Sequence, residues 1–591
     1  MNITVARTRR DSILFYFSAM MLGACLVAAP TVCRAQSPPN PYEMLPRSDG
    51  ALAYRILPTP SGMLIEKDVL VTMRDGVRVA SNVIRPDKPG KFPVILAMTP
   101  YGKDQTPPLF NADGSPVPSS YPNYIDRLHA HGADLGHMKI SVLTSFEAPD
   151  PAFWVPNDYV VIIADRRGDF KSEGKTPTPA QQADDIFQVI EWAAMQSWSN
   201  GNVGMIGVSA LASNQYYTAS HQPPPPNLKA IVPWEGQMDT YRDSTFWGGI
   251  PETNFLQRDV KAAIKNMPAE QAAKVWAAAI DPIGRQSLIQ GVPKVELIQV
   301  PALICASWSD KGLHTRGTFE VFRRIGSADK WLYTHGGKKW ERFYSEDGLA
   351  YQKKFFDHYL KGLPNGWQDT PRVRLEVRET RDEYAVRFEK EFPLARTQYS
   401  KLYLNAQTGS LLTKSGKQGK AVYHPTQGGD ASFGMTFDKD TELTGYLKVK
   451  LWVSAKDADD MDLFVAVKKF DAQGNEVQFR GMNGFGGDMV AKGQMRVSQR
   501  ELDQNLSTPW QPVQKFSGER KLTPGQMVSV EIALLPSSTL FRKGESLRLY
   551  IQGHHPVIQP LLFYTALINK GEHTIYTGGR YDSYLEVPII P

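Results

Sequence analysis

Short apolar runs alternate with longer amphipathic segments between about residues 65 and 365. The apolar runs that resemble buried strands are 92–98, 159–164, 203–206, 230–232 and 302–306. Between two of them, Ile186, Val189 and Ile190 recur at helical spacing within residues 183–195. Strands that are apolar on both faces and separated by helices are typical of a parallel sheet covered by helices. We therefore predict a mostly parallel α/β domain in this part of the chain.

Two stretches interrupt this alternation, and a third ends it. Residues 104–150 are rich in proline, serine and asparagine and predict a long insertion. Residues 240–297 are helix-like, for example over 268–279, and predict a helical cap. From about residue 369, alternating apolar and polar positions such as those in 446–453 are joined by polar turns. Such a series of strands without helices predicts a β-sandwich or jelly roll.

The first residues of the chain predict an export signal. Arginines within residues 7–10 precede an uncharged, mostly apolar stretch over 13–29, and small residues at 33 and 35 allow cleavage after Ala35. The same arginines indicate a twin-arginine signal. Residues 22–25 resemble a lipobox, so lipidation at Cys25 is an alternative, and a retained membrane anchor is another. We expect a periplasmic or secreted protein with no stable membrane association unless Cys25 is lipidated.

These patterns divide the chain into predicted regions. In order, they are a signal peptide over 1–35, the first part of the α/β domain over 36–239 with the insertion at 104–150, the helical cap over 240–297, the second part of the α/β domain over 298–368, and the β domain over 369–591.

Charge and cysteine content narrow the function classes. The chain has 67 Lys and Arg against 61 Asp and Glu, a net charge of +6, and residues 1–35 hold half of that excess. The remainder gives no basic tract for a nucleic-acid partner. Cys305 is the one cysteine beyond residue 35, which excludes an internal disulfide and a cysteine-rich metal domain. His129, His131 and His137 lie in the polar insertion and are interpreted as loop residues. We expect no cofactor and no metal; the oligomeric state stays open.

Residues 203–213 predict a strand, a sharp turn and a helix, with Ser209 at the apex of the turn. A serine in such a turn is lifted clear of the sheet, and the next backbone N–H faces a reacting carbonyl. Gly207 supplies one of the small residues that this turn needs, but Leu211 stands where the usual motif has its second glycine. By itself the motif also fits an ordinary strand–helix junction.

A serine nucleophile needs a base, and the base needs a carboxylate that orients it. Asp310 follows the strand that ends at 306, and His335 follows an apolar run over 330–334. Each could be a polar residue at a strand end. Together with Ser209 they have the order Ser, Asp, His of the α/β hydrolase fold, and they predict a catalytic triad.

Several further motifs resemble those of one family. They are Thr99-Pro100-Tyr101-Gly102-Lys103, Asp165-Arg166-Arg167-Gly168, Trp198-Ser199-Asn200-Gly201, Phe356-Asp357-His358-Tyr359-Leu360-Lys361-Gly362 and Thr577-Gly578-Gly579-Arg580-Tyr581. From about residue 60 to its C terminus, the chain resembles the cocaine-esterase-like and X-prolyl dipeptidyl-peptidase (CocE/NonD, peptidase S15) serine hydrolases. The resemblance implies an α/β hydrolase fold with an inserted helical cap, followed by a jelly-roll domain. It also implies that the Tyr101 hydroxyl, beside the Ala210 backbone N–H, stabilises the oxyanion.

Departures from the family pattern concern the substrate more than the chemistry. Ala210 and Ala212 replace the tyrosine and glycine usual after the nucleophile, and nothing at Leu211 or Ala212 offers an acidic group for a substrate ammonium. Aromatic residues near the cap and the acid are tentative substrate contacts. These are Trp234, Phe246, Trp247 and Trp308.

Three functions remain possible from the sequence. The first is hydrolysis of a small-molecule carboxylic ester through Ser209, Asp310 and His335. The second is cleavage of an amide or peptide, of X-prolyl dipeptidyl or acyl-amide type, by the same residues. The third is a non-catalytic binding protein that uses the jelly roll.

Overall fold

The first part of the chain forms one large sheet and a separate small sheet of three strands, and the second part forms a set of mostly antiparallel strands. A computed structural model describes residues 31–34, 43–46, 52–106, 139–252, 291–481, 487–557, 564 and 568–591, with only the backbone over 31–34, 43–46 and 52–56. The strands of the first part are β1 (Thr31–Arg34), β2 (Glu43–Pro46), β3 (Leu52–Leu57), β4 (Met63–Thr72), β5 (Arg78–Pro86), β6 (Phe92–Thr99), β7 (Lys139–Ser141), β8 (Val160–Asp165), β9 (Ser199–Val208), β10 (Leu228–Trp234), β11 (Ala302–Ser307), β12 (Lys330–His335), β13 (Val373–Arg378) and β14 (Tyr384–Glu389).

Helices connect these strands. They are α1 (Pro151–Trp154), α2 (Pro179–Ala194), α3 (Ala210–Ala219), α4 (Thr315–Arg324), α5 (Lys339–Phe343) and α6 (Glu346–Lys361). Short π- or 3₁₀-helical turns occupy Val155–Asn157, Tyr241–Thr245, Trp247–Gly249 and Val295–Leu297. The longer helices begin at clear caps: the side chains of Thr178 and Ser345 accept hydrogen bonds from backbone N–H groups of α2 and α6.

The large sheet has the strand order of an α/β hydrolase. In the order in which they pair, the strands of this sheet are β1-β4-β5-β8-β6-β9-β10-β11-β12-β13-β14. The pairing is parallel from β8 to β13 and antiparallel at both edges. Alternate residues of each central strand face opposite cores: Leu96 packs in one and Ile95 in the other. Helices cover both faces, so the strands are apolar throughout. The carboxyl ends of β6, β9, β10, β11 and β12 therefore meet at one edge of the sheet.

The second part of the chain is a domain of strands around a core of its own. Its strands are β15 (Gln398–Asn405), β16 (Ser410–Leu412), β17 (Gly419–Tyr423), β18 (Asp430–Thr436), β19 (Thr441–Ala455), β20 (Asp462–Phe470), β21 (Glu476–Val477), β22 (Ala491–Arg496), β23 (Val528–Phe541), β24 (Ser546–Gln552), β25 (His573–Thr577) and β26 (Tyr584–Ile590). One group pairs as β16-β15-β26-β19-β23 and another as β18-β24-β20-β22. Residues of both groups share one hydrophobic core.

A hydrogen-bonded seam joins the two domains. β13 continues the large sheet and pairs with β23 of the β domain where Arg378 meets Thr539. Lys311 of the first domain is buried against the second, and its Nζ donates to Asp488 Oδ2 at 3.1 Å. The β domain thus contacts the loop that directly follows Asp310.

The structure confirms the predicted strands at β6, β8, β9, β10 and β11, and the predicted helix at α2. The jelly-roll topology stays a prediction. Residues 107–138 of the insertion, with the three histidines, and 253–290 of the cap lie outside the described residues, as does the signal peptide except for the backbone of β1. Within the described part of the chain, no helix has the length and apolar character needed to cross a membrane.

Candidate active site

Ser209 stands at a strained turn between β9 and α3. Its backbone has φ 60° and ψ −115°, a conformation that a non-glycine residue adopts only where the surrounding structure enforces it. Its N–H donates to the Trp234 carbonyl at the end of the neighbouring strand β10, at 3.1 Å. Gly207 has φ 153°, and a Cβ placed there would lie 2.5 Å from the Cβ of Leu211. Leu211 thus occupies the space that the glycine leaves free.

A histidine and an aspartate continue from Ser209 in a line. Ser209 Oγ lies 3.1 Å from His314 Nε2, and His314 Nδ1 lies 2.5 Å from Asp310 Oδ2. Asp310 follows β11, and its carbonyl accepts the N–H of His314, so the chain turns back and places both side chains together before α4. His314 and Asp310 are buried, while Ser209 is half-buried. This is the arrangement of nucleophile, base and orienting acid found in serine hydrolases.

His335 does not occupy the position that the sequence predicted. It is the last residue of β12 and has no exposed surface. The two-residue period of the strand turns it to the same enclosed face as Tyr333, where its ring stacks at 6.1 Å on Trp234. Burial, together with the charge of Arg342, lowers the pKa of His335 to about 3, so the ring is neutral. His314, which the sequence analysis overlooked, takes the place beside Ser209.

Glu235 is a buried carboxyl group between Asp310 and His335. One carboxylate oxygen of Glu235, one of Asp310 and one ring nitrogen of His314 lie within 4.8 Å of one another. On its other side, Glu235 Oε1 lies 2.9 Å from His335 Nε2, in a contact not aligned as a hydrogen bond. Neither Glu235 oxygen, nor Asp310 Oδ1, has a hydrogen-bond partner among the described residues.

The two carboxyl groups have opposite protonation states. Burial, and next the charge of Asp310, raise the pKa of Glu235 well above its ordinary value. Burial alone would also raise the pKa of Asp310, but the interaction with His314 and the positive charge of Lys339 more than offset it and lower that pKa. Two adjacent buried carboxyl groups do not both ionise. A protonated Glu235 can donate to Asp310 Oδ1, which leaves Asp310 charged beside His314.

Glu147, from the segment before α1, and Lys339, from the segment after β12, support this region. Lys339 Nζ lies 3.4 Å from Glu147 Oε1 and 4.0 Å from Asp310 Oδ2. Glu147 also accepts a hydrogen bond from Trp340 Nε1 at 3.1 Å, and its carbonyl accepts the Val208 N–H just before the nucleophile. Neither residue was singled out from the sequence, because contacts between the 147 and 339 regions leave no local signal.

The expected oxyanion donors lie at the same edge of the sheet. β6 and β9 are parallel with Leu96 opposite Met205, so the strand ends that precede Tyr101 and Ser209 lie level. Tyr101 is half-buried and its ring packs edge-on against Phe146 at 5.1 Å. Ala210 is the first residue of α3, where a backbone N–H has no acceptor within the helix. Both positions are compatible with the roles that the resemblance implied.

The structure does not place the predicted aromatic contacts on a substrate surface. Trp234, Phe246 and Trp308 have no exposed surface, and each packs in a core against other rings. Trp308 in addition donates from Nε1 to the Glu376 carbonyl. A large side chain at a strand end or a tight turn can be buried in a core as readily as it can be exposed to a substrate. Trp247 lines a cavity between the two domains.

A set of potential metal ligands also converges at Glu235. One atom each of Glu235, Cys305 and His335 lies within 4.8 Å of the others. Burial keeps all three uncharged, because it raises the pKa of Glu235 and Cys305 and lowers that of His335. Zinc binds thiolate, carboxylate and neutral imidazole. We assign no metal to this cluster, which packs in the core with Trp234 and Tyr333.

Two family models match the chain, one for each domain. Residues 75–290 match the X-Pro dipeptidyl-peptidase (S15 family), and residues 365–586 match the X-Pro dipeptidyl-peptidase C-terminal non-catalytic domain. Among curated proteins, a cocaine esterase from Rhodococcus sp. (strain MB1 Bresler) is 26% identical over 408 residues, which are 60% of this chain and 64% of that protein. A putative Xaa-Pro dipeptidyl-peptidase from Bacillus anthracis is 24% identical over 51% of this chain and 53% of its own.

The chain is also similar to solved structures over nearly its whole length. A CocE/NonD family hydrolase from Staphylococcus aureus shares 41% sequence identity, with coverage of 96% of this chain and 97% of that one and a TM-score of 0.82. The catalytic-domain match, the C-terminal domain match and this likeness agree on one assignment. The chain belongs to the CocE/NonD family of hydrolases, which is related to cocaine esterase and the X-Pro dipeptidyl-peptidases.

Proposed function

We propose that the protein is an exported serine hydrolase of small carboxylic esters. In this proposal Ser209 is the nucleophile, His314 is the base, and Asp310 is the carboxylate that orients His314. The observation that carries this proposal is the contact of Ser209 Oγ with His314 Nε2, in line with Asp310 on the other ring nitrogen. The pattern of residues 1–35 supports export.

The mechanism is acyl transfer in two steps. His314 Nε2 removes the Ser209 proton as Oγ attacks the ester carbonyl carbon, and Asp310 stabilises the imidazolium. The Ala210 N–H and the Tyr101 hydroxyl donate to the oxyanion, each worth about 3 kcal/mol of transition-state stabilisation. The tetrahedral intermediate collapses when His314 gives the proton to the leaving alcohol. Water then attacks the acyl-enzyme, His314 takes its proton, and Ser209 is restored as the carboxylic acid leaves.

The charge around the triad favours esters over substrates with a free amino group. An X-prolyl peptide or an amino ester needs a carboxylate to bind its ammonium. Among the described residues around Ser209, Asp310 holds His314, Glu235 is enclosed and protonated, and Glu147 is paired with Lys339. Each of these carboxyl groups already has another role. The match to the S15 peptidase family keeps amide or peptide cleavage as the second candidate.

The first prediction tests which histidine is the base. His314→Gln should lower kcat for a p-nitrophenyl acyl ester by about 10³-fold or more, because Ser209 loses its proton acceptor. His335→Gln should keep kcat within about tenfold, since the ring is neutral and enclosed behind the triad. Initial rates on the ester, beside a dipeptidyl-prolyl anilide, measure both variants and the substrate class.

Ser209→Ala is the control for chemistry outside the triad. It should abolish hydrolysis and labelling by a fluorophosphonate, while its thermal unfolding stays close to that of the wild type. A loss in His335→Gln as large as in His314→Gln, in folded protein, would reverse the assignment of the base. Turnover of the anilide but not of the ester would favour the peptidase.

A further inference from the structure

A cavity lies beside the seam between the two domains, and none of Ser209, Asp310 and His314 is among the residues that line it. Its wall includes the glycines that follow β12, and its charged lining is unbalanced. The charged residues that line it are Arg342, Arg378, Arg381, Arg480, Glu376 and Asp382. Four guanidinium groups thus face two carboxylates around one space.

Arg378 is buried and has no carboxylate partner within the part of the chain that the structure describes. Its side chain is on β13 and the residue is 3% exposed. Nη2 donates to Ser537 Oγ at 3.0 Å and Nε is 3.4 Å from the Ser538 carbonyl, but Nη1 has no partner among the described residues. A buried guanidinium N–H without an acceptor is costly, so the geometry indicates that an acceptor binds there.

Arg342, which lines the same cavity, has a second unpaired N–H among the described residues. Its Nη2 donates to the Tyr384 hydroxyl at 3.0 Å, whereas its buried Nε has no partner within the described part of the chain. Arg480 differs, because Nη2 is paired with Asp382 Oδ1 at 2.7 Å. The two arginines with open N–H groups therefore stand out from the rest of the wall.

Glu376 restricts which ligand the cavity can bind. Its Oε1 accepts the Gly336 N–H at 2.6 Å, while its buried Oε2 has no partner in the described residues. An anion that also carries a hydrogen-bond donor satisfies both arginines and this oxygen. Hydrogen phosphate has that property, and so does a carboxylate with a neighbouring hydroxyl.

Buried cations nearby support an excess of positive charge. Lys311 and Lys492 share the enclosed region with Arg378, and Asp488 is the carboxylate that contacts Lys311. Burial lowers the pKa of Lys311 to about 7, with Arg378 adding to the effect and Asp488 opposing it.

We propose that this cavity binds a small oxyanion, a phosphate or a hydroxy-carboxylate, between the guanidinium groups of Arg342 and Arg378. A guanidinium offers paired N–H groups that match the oxygen spacing of carboxylate and phosphate. The bound anion connects β13 and the segment after β12 at the wall that the β domain completes. It binds independently of the ester chemistry at Ser209.

Titration calorimetry with sodium phosphate and with sodium lactate, at constant ionic strength in sodium chloride, tests the proposal on the full chain. The wild type should bind either phosphate or lactate at a single saturable site. The anion that binds identifies the chemical class of the ligand. Arg342→Gln should weaken binding by about tenfold or more, the equivalent of one charged hydrogen bond. Arg378→Gln should abolish binding if the variant folds.

Two controls separate this site from others. Arg396→Gln removes an exposed arginine that is paired with Glu389, and it should leave the affinity unchanged. Ser209→Ala should also bind as the wild type does, which distinguishes the cavity from the active site. Absence of saturable heat up to ~10 mM of either anion, or equal affinity in Arg342→Gln, would overturn the proposal.

Discussion

Glu235 and Asp310 are buried side by side behind His314, and their carboxyl groups cannot both be charged at low cost. Their surroundings shift the pKa values of the two carboxyl groups in opposite directions. The lowered pKa keeps Asp310 charged beside His314, and the raised pKa keeps a proton on Glu235. An enclosed acid that donates a hydrogen bond orients the ionised one without adding negative charge. Asp310 is thereby held beside both His314 and Glu235.

The second prediction follows from the raised pKa of Glu235. An unfolded glutamate titrates near pH 4.3, and the folded group titrates well above it. Between these values the folded state holds a proton that the unfolded state has lost, so the free energy of unfolding falls as pH rises. Glu235→Gln removes this dependence. Its stability relative to the wild type should rise with pH, by at most about 1.4 kcal/mol per unit.

Thermal unfolding of both proteins between pH 5 and 9 measures the effect. Glu346→Gln changes an exposed glutamate and should remain within about 0.5 kcal/mol of the wild type throughout. A constant offset between Glu235→Gln and the wild type over this range would show that Glu235 is ionised in the folded protein.

At the scale of elements, the turn between β9 and α3 depends on close packing of Gly207 under Leu211. The third prediction is that Gly207→Ala destabilises the protein by about 1–3 kcal/mol and slows fluorophosphonate labelling of Ser209. The reason is that its Cβ would stand 2.5 Å from the Leu211 Cβ, which displaces the turn.

A double-mutant cycle isolates that contact. Leu211→Gly removes that Cβ. Alone it should cost stability through lost packing and lower helix propensity, but in the Gly207→Ala background it should restore part of the labelling rate. Strictly additive effects of the two substitutions would contradict the contact as the cause.

The elements that sequence patterns predict best are those whose pattern and neighbours agree. β6, β8 and β11 are apolar on both faces, so their pattern marks both the strand and the parallel sheet. The prediction for His335 was wrong, because the order of strands does not determine the direction of a side chain. Strand order pointed to it, but the alternation along β12 turns its side chain into the core. The spacing of Asp310 and His314, four residues apart before a helix, was the available signal for the other histidine.

Contacts made over long sequence separations had no such signal. Glu235 meets Asp310 and His335 only because β10, β11 and β12 are neighbours in the sheet. Lys339 reaches Glu147 across 192 positions of chain. Such clusters depend on the exact end of each strand, which apolar runs define only to within a few residues.

At the scale of the whole molecule, the β domain supports the loop that carries Asp310. Lys311 directly follows this acid and is fully buried against Asp488 of the β domain. The fourth prediction is that Asp488→Asn lowers the melting temperature, because a buried pair that loses one partner costs up to about 3–5 kcal/mol. The loss should be larger at pH 6 than at pH 8, since Lys311, with a pKa of about 7, must then hold a proton without its partner.

Asp158→Asn provides the matched comparison. Asp158 pairs with Lys88, and both side chains are about half exposed, so this substitution should cost less than about 1 kcal/mol. Equal melting temperatures for the two variants at pH 6 would show that the interdomain pair adds nothing to the support of the catalytic loop.

The reaction rate of the Cys305 thiol measures how often the central sheet opens. Cys305 lies at the middle of β11, between Trp234 of β10 and Tyr333 of β12, and no part of it is exposed. A chain that begins after residue 35 has no other thiol. A thiol reagent can therefore react only during moments when these three strands separate, and its reaction rate counts those moments. Because the three strands end in Trp234, Ser307 and His335 beside Glu235 and Asp310, the same rate reports how often the sheet opens next to these residues.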